Sequence, residues 1–166
     1  MNFKRLSVLS LLAALALLVS ACTVTIRPSA SIDVQLNTVI SEFRPTRGVG
    51  AVYQVGEQIE FLIRTSEPGF VTLTAIDPDG RVYVLSRNIQ VHGGTTILPT
   101  AEQRVTYNAA PPRGFHRVRA SFTSGRTSGD VVYRGRSGDG AWSSAINVEI
   151  KDFPVRDVVE TNLTIR

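Results

Sequence analysis

The sequence predicts an all-β fold, an antiparallel sandwich of seven to nine strands that follows an export leader. Three observations predict it. From Ile32 onward apolar residues alternate with polar ones at period two, turn residues recur at short intervals, and no stretch carries a convincing apolar stripe of helical period. The chain has 166 residues, and the part beyond the leader fits one domain built on a single core.

The elements follow in order. Ile32, Val34 and Leu36 alternate with Asp33, Gln35 and Asn37 and predict a first strand. Glu42 to Gly50, which holds Pro45, Gly48 and Gly50, reads as a loop. Ile59, Phe61 and Ile63 alternate with Glu60 and Arg64 in a second strand entered through a turn at Gly56, and Phe70 to Ile76 follows after Pro68-Gly69. Asp77-Pro78-Asp79-Gly80 puts proline early in a turn and glycine where a positive φ is needed, so it predicts a hairpin into Arg81 to Ser86. Short extended pieces are expected at Thr95 to Leu98 and Arg104 to Asn108, beyond His92-Gly93-Gly94.

Pro111, Pro112 and Gly114 reset the chain before Phe115 to Thr123. There His116, Val118, Ala120 and Phe122 share one face and Arg117, Arg119 and Ser121 the other, and the arginines are expected to face water. Ser124 to Gly140 reads as a long mobile loop containing a short strand at Val131 to Tyr133. Ile146, Val148 and Ile150 predict one more strand, and Val159, Thr161, Leu163 and Ile165 the last. That many short strands without helical crossovers point to a sandwich of immunoglobulin-like type.

The leader opens with Lys4 and Arg5, continues as an apolar run from Leu6 to Val19, and stops at Val19-Ser20-Ala21-Cys22. A positive start, a short apolar middle and small residues before a cut describe an export signal. The run is shorter than the roughly 20 residues that span a bilayer. Val19, Ser20, Ala21 and Cys22 resemble the lipobox of bacterial lipoproteins. The resemblance implies cleavage before Cys22, a diacylglycerol on its sulfur and an acylated amino terminus. Cys22 is the only cysteine. The expected organisation is a signal peptide over 1–21, a lipidated cysteine and polar tether over 22–31, and a β body over 32–166. Thr23 in place of Asp resembles the sorting pattern of outer-membrane lipoproteins in a diderm host. The alternatives are an uncleaved anchor, or a secretory signal followed by an unpaired thiol.

The net charge is +4, and losing Lys4 and Arg5 with the leader leaves +2. So small an excess does not argue for nucleic acid. The basic residues are almost all arginine, densest at Arg113, Arg117 and Arg119 and continuing at Arg126, Arg134 and Arg136. They describe a solvated face, or a surface for anionic partners such as lipid head groups or cell-wall polymer. With its one cysteine acylated the domain has no disulfide and stands on packing.

Residues able to carry chemistry are few. A copper-dependent, dismutase-like site on a sandwich would draw on His92 and His116, the only two histidines, with oxygen ligands completing it. Each has a plainer role, His92 in a turn and His116 beside the core. The Asp77–Gly80 turn departs from a calcium loop, because its glycine comes early and no glutamate closes it. Glu57 and Glu60 would face opposite ways on a strand, no serine sits in a G-x-S-x-G elbow, and Gly48-Val49-Gly50 lacks the third glycine of a dinucleotide loop. Trp142, Tyr83, Tyr133, Arg134 and Arg136 are candidates for contact with a sugar ring or a protein partner, the two tyrosines being expected to be exposed and Trp142 alternatively covering the end of the core.

The middle of the chain carries Tyr53-Gln54-Val55-Gly56-Glu57-Gln58-Ile59, then Gly69-Phe70-Val71, then Asp79-Gly80-Arg81-Val82-Tyr83-Val84-Leu85. These motifs, from Tyr53 to Thr123 and toward Ile150, resemble domain of unknown function 4384. That family often places Tyr-Pro after the hairpin leucine, where this chain has Ser86-Arg87. The resemblance implies a fold and an envelope setting, and brings no catalytic residue with it. The expected function is that of a lipid-anchored envelope accessory protein that binds other surface or periplasmic proteins, with no cofactor specified. The alternatives are the copper enzyme and a glycan- or peptidoglycan-binding module.

Overall fold

A computed structural model describes residues 25–28 and 32–166. It is mostly β, with eight strands and one α-helix among the described residues. In chain order these are β1 (Ile40–Pro45), β2 (Ala51–Tyr53), β3 (Gln58–Ile59), β4 (Phe61–Ile76), β5 (Val82–Leu98), β6 (Tyr107–Asn108), β7 (Gly114–Thr123), α1 (Asp139–Ile150) and β8 (Arg156–Ile165).

The long β4–β5 hairpin organises the molecule, and its turn is the one the sequence predicts. Gly80 takes φ +79°, and Asp77 Oδ1 accepts the Arg81 N–H at 2.8 Å. One edge of β4 pairs with β5 from Phe61↔Leu98 to Ile76↔Val82. The other edge is shared, Phe61–Thr65 with β1 and Phe70–Ile76 with β7. The change of neighbour coincides with a register shift between Thr65 and Pro68, where a residue without an N–H is tolerated. β8 continues the sheet antiparallel to β7, and β2 adds a parallel edge, Ala51↔Leu163. The resulting order is β1-β4-β7-β8-β2 with β5 on β4, and β3 and β6 form a separate short pair.

Both halves of β4 face one core, so the sheet nearly closes on itself. Phe43, Phe61, Ile63 and Leu98 from one side meet Val71, Leu73, Val118, Phe122 and Leu163 from the other. Phe43 and Phe61 stack with centroids 5.5 Å apart. Each such side chain contributes about 1.5–3 kcal/mol on leaving water. The inner face of β7 is the expected one, His116, Val118, Ala120 and Phe122.

Several expectations are corrected. Ile32–Asn37 is not a strand, although Ile32 is buried and Val34 and Leu36 pack against a second core. The first strand is Ile40–Pro45, and its part from Glu42 falls in the segment read as loop. A register shift between Ile40 and Glu42 spaces its buried residues by three and then two, which hides the alternation. Ile146, Val148 and Ile150 lie on α1, not on a strand. Val148 is exposed, while Trp142, Ala145, Ile146, Glu149 and Ile150 are buried at helical spacing. A polar glutamate on the buried stripe and an apolar valine on the wet face disguise the period.

The second core lies between α1 and the outer face of the sheet, and joins Ile76, Val82, Tyr133, Trp142, Ile146, Ile150 and Val158. Arg119 therefore does not face water. It is 2% exposed under α1, its guanidinium bonded to Glu160 Oε2 at 2.8 Å and Ser143 Oγ at 2.9 Å and stacked 3.9 Å from the Trp142 ring centroid. Val131–Tyr133 forms no strand, and the Ser124–Gly138 connection is pinned rather than loose. Glu149, buried in α1, accepts from Tyr133, Thr127 Oγ1 and Arg87, while Arg87 also donates to the Val131 carbonyl.

Candidate functional site

Between the β3–β6 pair and the inner face of β4, β5, β7 and β8 lies a cleft of about 440 Å³, within the range of small-ligand sites. Its floor is apolar, formed by Phe61, Val118, Leu163 and Ile165. Its polar wall comes from the start of β7 and the β4–β5 turn. His116, 3% exposed, sets Nε2 at 2.8 Å from the Pro112 carbonyl and Nδ1 at 3.4 Å from the Tyr83 hydroxyl. A carbonyl only accepts, so the neutral ring carries its proton on Nε2, and Nδ1 receives the Tyr83 proton.

Beside them Asp77 is 8% exposed. One oxygen accepts the Arg81 N–H, and among the described residues no cation pairs with the carboxylate, since the Arg81 guanidinium turns to Asp79 at 2.9 Å. The Tyr83 ring is partly exposed, but its hydroxyl points inward. Loss of water around it, and then the Asp77 charge, push its phenol up to about 12.

The residues singled out in the sequence do not assemble there. Val19, Ser20, Ala21 and Cys22 lie outside the described residues. Part of the expected tether is visible and lies against the body. Glu160 N–H donates to the Ile26 carbonyl at 2.8 Å, Thr25 Oγ1 donates to the Ser41 carbonyl at 2.6 Å, and Arg27 pairs with the buried Asp157. His92 is exposed on β5, beside a different, polar cleft of about 610 Å³ that also includes Gln90, Glu102, Gln103 and Arg126. His116 lines the first cleft instead. Among the described residues no group of three or more His, Cys, Asp or Glu side chains comes together as a metal cluster.

Two of the proposed contact residues are corrected. Trp142 and Tyr133 are 0% and 1% exposed, because the indole N–H donates to Thr74 Oγ1 at 2.8 Å and the phenol donates to Glu149. Neither ring is offered to a sugar or a protein. Burial, reinforced by the Glu149 charge, holds the Tyr133 phenol far above its ordinary range. Arg134 is exposed and Arg136 half-buried on the same connection, with Arg136 Nε donating to the Val132 carbonyl at 2.6 Å. Sequence reasoning missed Asp77 and the Arg87–Glu149 pair. The first was absorbed by its turn motif, and the others are joined only by tertiary contacts.

The recurring motifs around this cleft each close a piece of backbone. Glu57 caps the turn before β3, accepting the Gln54 N–H at 2.8 Å and Arg47 at 3.0 Å. These bonds, the backbone one first, hold its carboxyl below the usual range. Gly69 is the only residue that fits where it stands, because a Cβ there would lie 2.3 Å from Phe122 Cζ. With Gly80 in the hairpin, the entry, middle and hairpin motifs are all present and all structural.

Residues 52–126 match the family described as Domain of unknown function (DUF4384). No curated protein and no solved structure matches the chain. The DUF4384 match runs from β2 through β7 and stops before α1, so the region toward Ile150 lies outside it. Where DUF4384 often has Tyr-Pro, Ser86 Oγ here accepts from Gln103 Nε2 at 2.9 Å and Arg87 reaches Glu149 in α1. These two residues thus tie the matched segment to its own connection and to the helix beyond it. No helix among the described residues is long and apolar enough to cross a membrane.

Proposed function

We propose that the protein is a lipid-anchored envelope module that holds other surface or periplasmic proteins through the free edge of β5. The carrying observation is that edge. Among the described strands β5 pairs with β4 alone; the 124–138 connection reaches only its first half, where the Val82 N–H donates to the Arg136 carbonyl at 3.1 Å, and Gln90, His92, Thr95 and Ile97 are exposed along its far half. An unpaired strand edge is a ready template for an added strand. The opposite rim of the sheet is blunted, since β2 is three residues long. Thr25 is three residues beyond Cys22 and already docked, so acylation would hold the body within about 11 Å of the bilayer. The same reading takes the fold as an immunoglobulin-like sandwich. Support comes from the order β5-β4-β7-β8, with the start of β4 and β3 pairing to β1 and β6 across the core.

Two measurements test it. Mass spectrometry of the native protein is expected to give a mature amino terminus at an acylated Cys22, and an unmodified thiol behind an intact leader overturns the anchor. A photo-crosslinking residue at Gln90 is expected to capture envelope proteins in living cells while one at Ser144, on the exposed side of α1, does not. Equal labelling from both positions, or none from Gln90, overturns the β5 edge.

A further inference from the structure

Asp77 is a buried carboxylate that the fold supplies with a backbone donor but not with a cation. It is more than nine-tenths buried, it faces the apolar cleft, and among the described residues it has no ionic partner. Elsewhere the buried carboxylates are satisfied by cations. Asp157 has Arg27 and Glu149 has Arg87. Buried charges are ordinarily paired, because an isolated one is costly.

Thr106, Asn108 and Arg81 also line the cleft, with the Arg81 guanidinium drawn to Asp79, and around Asp77 the remaining bonding capacity is that of acceptors. His116 Nε2–H is spent on the Pro112 carbonyl and Nδ1 on the Tyr83 proton. That leaves the Tyr83 oxygen and the second Asp77 oxygen as acceptors facing the cleft. Opposite them stand Phe61, Val118, Leu163 and Ile165, which offer only apolar surface. A group that satisfies both walls carries a positive donor at one end and a hydrocarbon body at the other.

We propose that this cleft is a binding site for a small organic amine, its ammonium group against Asp77 and the Tyr83 oxygen and its apolar body on the floor between the β3–β6 pair and β7. A volume of about 440 Å³ suits an aryl- or alkyl-ammonium ion and excludes a polymer. The site is separate from the β5 edge, so it stands or falls independently of the anchoring and partner reading.

The test uses the full chain purified from membranes in mild detergent, with phenethylamine as the probe and 2-phenylethanol and phenylacetate as isosteric controls. Binding is read by calorimetry and by the ring resonances of His116, one of only two histidines in the chain. Phenethylamine is expected to bind saturably and shift His116 but not His92. The alcohol is expected to bind about tenfold or more weakly, and the acid not at all. Asp77→Asn keeps an acceptor for the Arg81 N–H and is expected to lower amine affinity about tenfold or more with an unchanged melting temperature. Leu85→Trp, which fills the cleft from its rim, is expected to abolish binding. The proposal is overturned by an absence of saturable binding at millimolar amine, by equal binding of the alcohol or acid, or by shifts confined to His92. Should Asp77→Asn fail to fold, the three-probe comparison on the unaltered chain decides.

Discussion

Gly69 shows how a single position sets the inner geometry. Its missing side chain lets β7 close on β4, and an added Cβ would also lie 2.8 Å from the Thr123 carbonyl. Gly69→Ala is therefore expected to destabilise the fold by about 1–3 kcal/mol through overpacking. Chemical denaturation measures it, and an unchanged midpoint would contradict the close approach. Tyr83 makes a second prediction at this scale. Its phenol is raised from 10.0 to about 12 in the folded state, so the native protein keeps a proton that the unfolded chain gives up. Its contribution is full below pH 10 and is lost as pH rises from 10 toward 12. Ultraviolet titration of phenolate in the native protein and in Tyr83→Phe is expected to lose one late-titrating tyrosine. If the missing step falls at the ordinary value, the hydroxyl is not desolvated.

At the scale of elements, α1 and the connection before it depend on one buried carboxylate. Glu149 gathers Arg87, Thr127 and Tyr133 from β5 and the connection. Removing it strands a cation and a phenol, and Glu149→Ala is expected to cost about 3–5 kcal/mol. Limited proteolysis is expected to cut first between Ser124 and Gly138 in the variant, while the parent resists there. Cleavage at the same rate in both would return this stretch to the mobile loop its composition suggests. Arg119 follows similar logic. Its three contacts with Glu160, Ser143 and Asp139 at 2.8, 2.9 and 3.4 Å turn what reads as a wet strand face into a covered one.

For the whole molecule, two cores on opposite sides of one sheet replace the single core that length and alternation suggest. Trp142 reports on the second. As the only tryptophan, buried and bonded to Thr74, it is expected to emit at short wavelength and resist iodide quenching. An exposed-indole spectrum would detach α1 from the sheet. The β character, the hairpin at Asp77–Gly80, the inner face of β7 and the last strand are legible in the chain, because local alternation and turn chemistry act over a few residues and need no partner. So is the structural sense of the motifs in the matched segment, since Glu57, Gly69 and Gly80 close backbone near themselves or admit one close neighbour. Local pattern does not reveal that 139–150 is a helix, that Arg119 and Glu149 are buried, or that Asp77 lines a cleft with no ion-pair partner among the described residues. Each of these places a charge out of water, and whether a charge is tolerated there depends on partners such as Glu160 from β8 and Arg87 from β5. Such partners lie tens of residues away in the chain, beyond the reach of any local pattern.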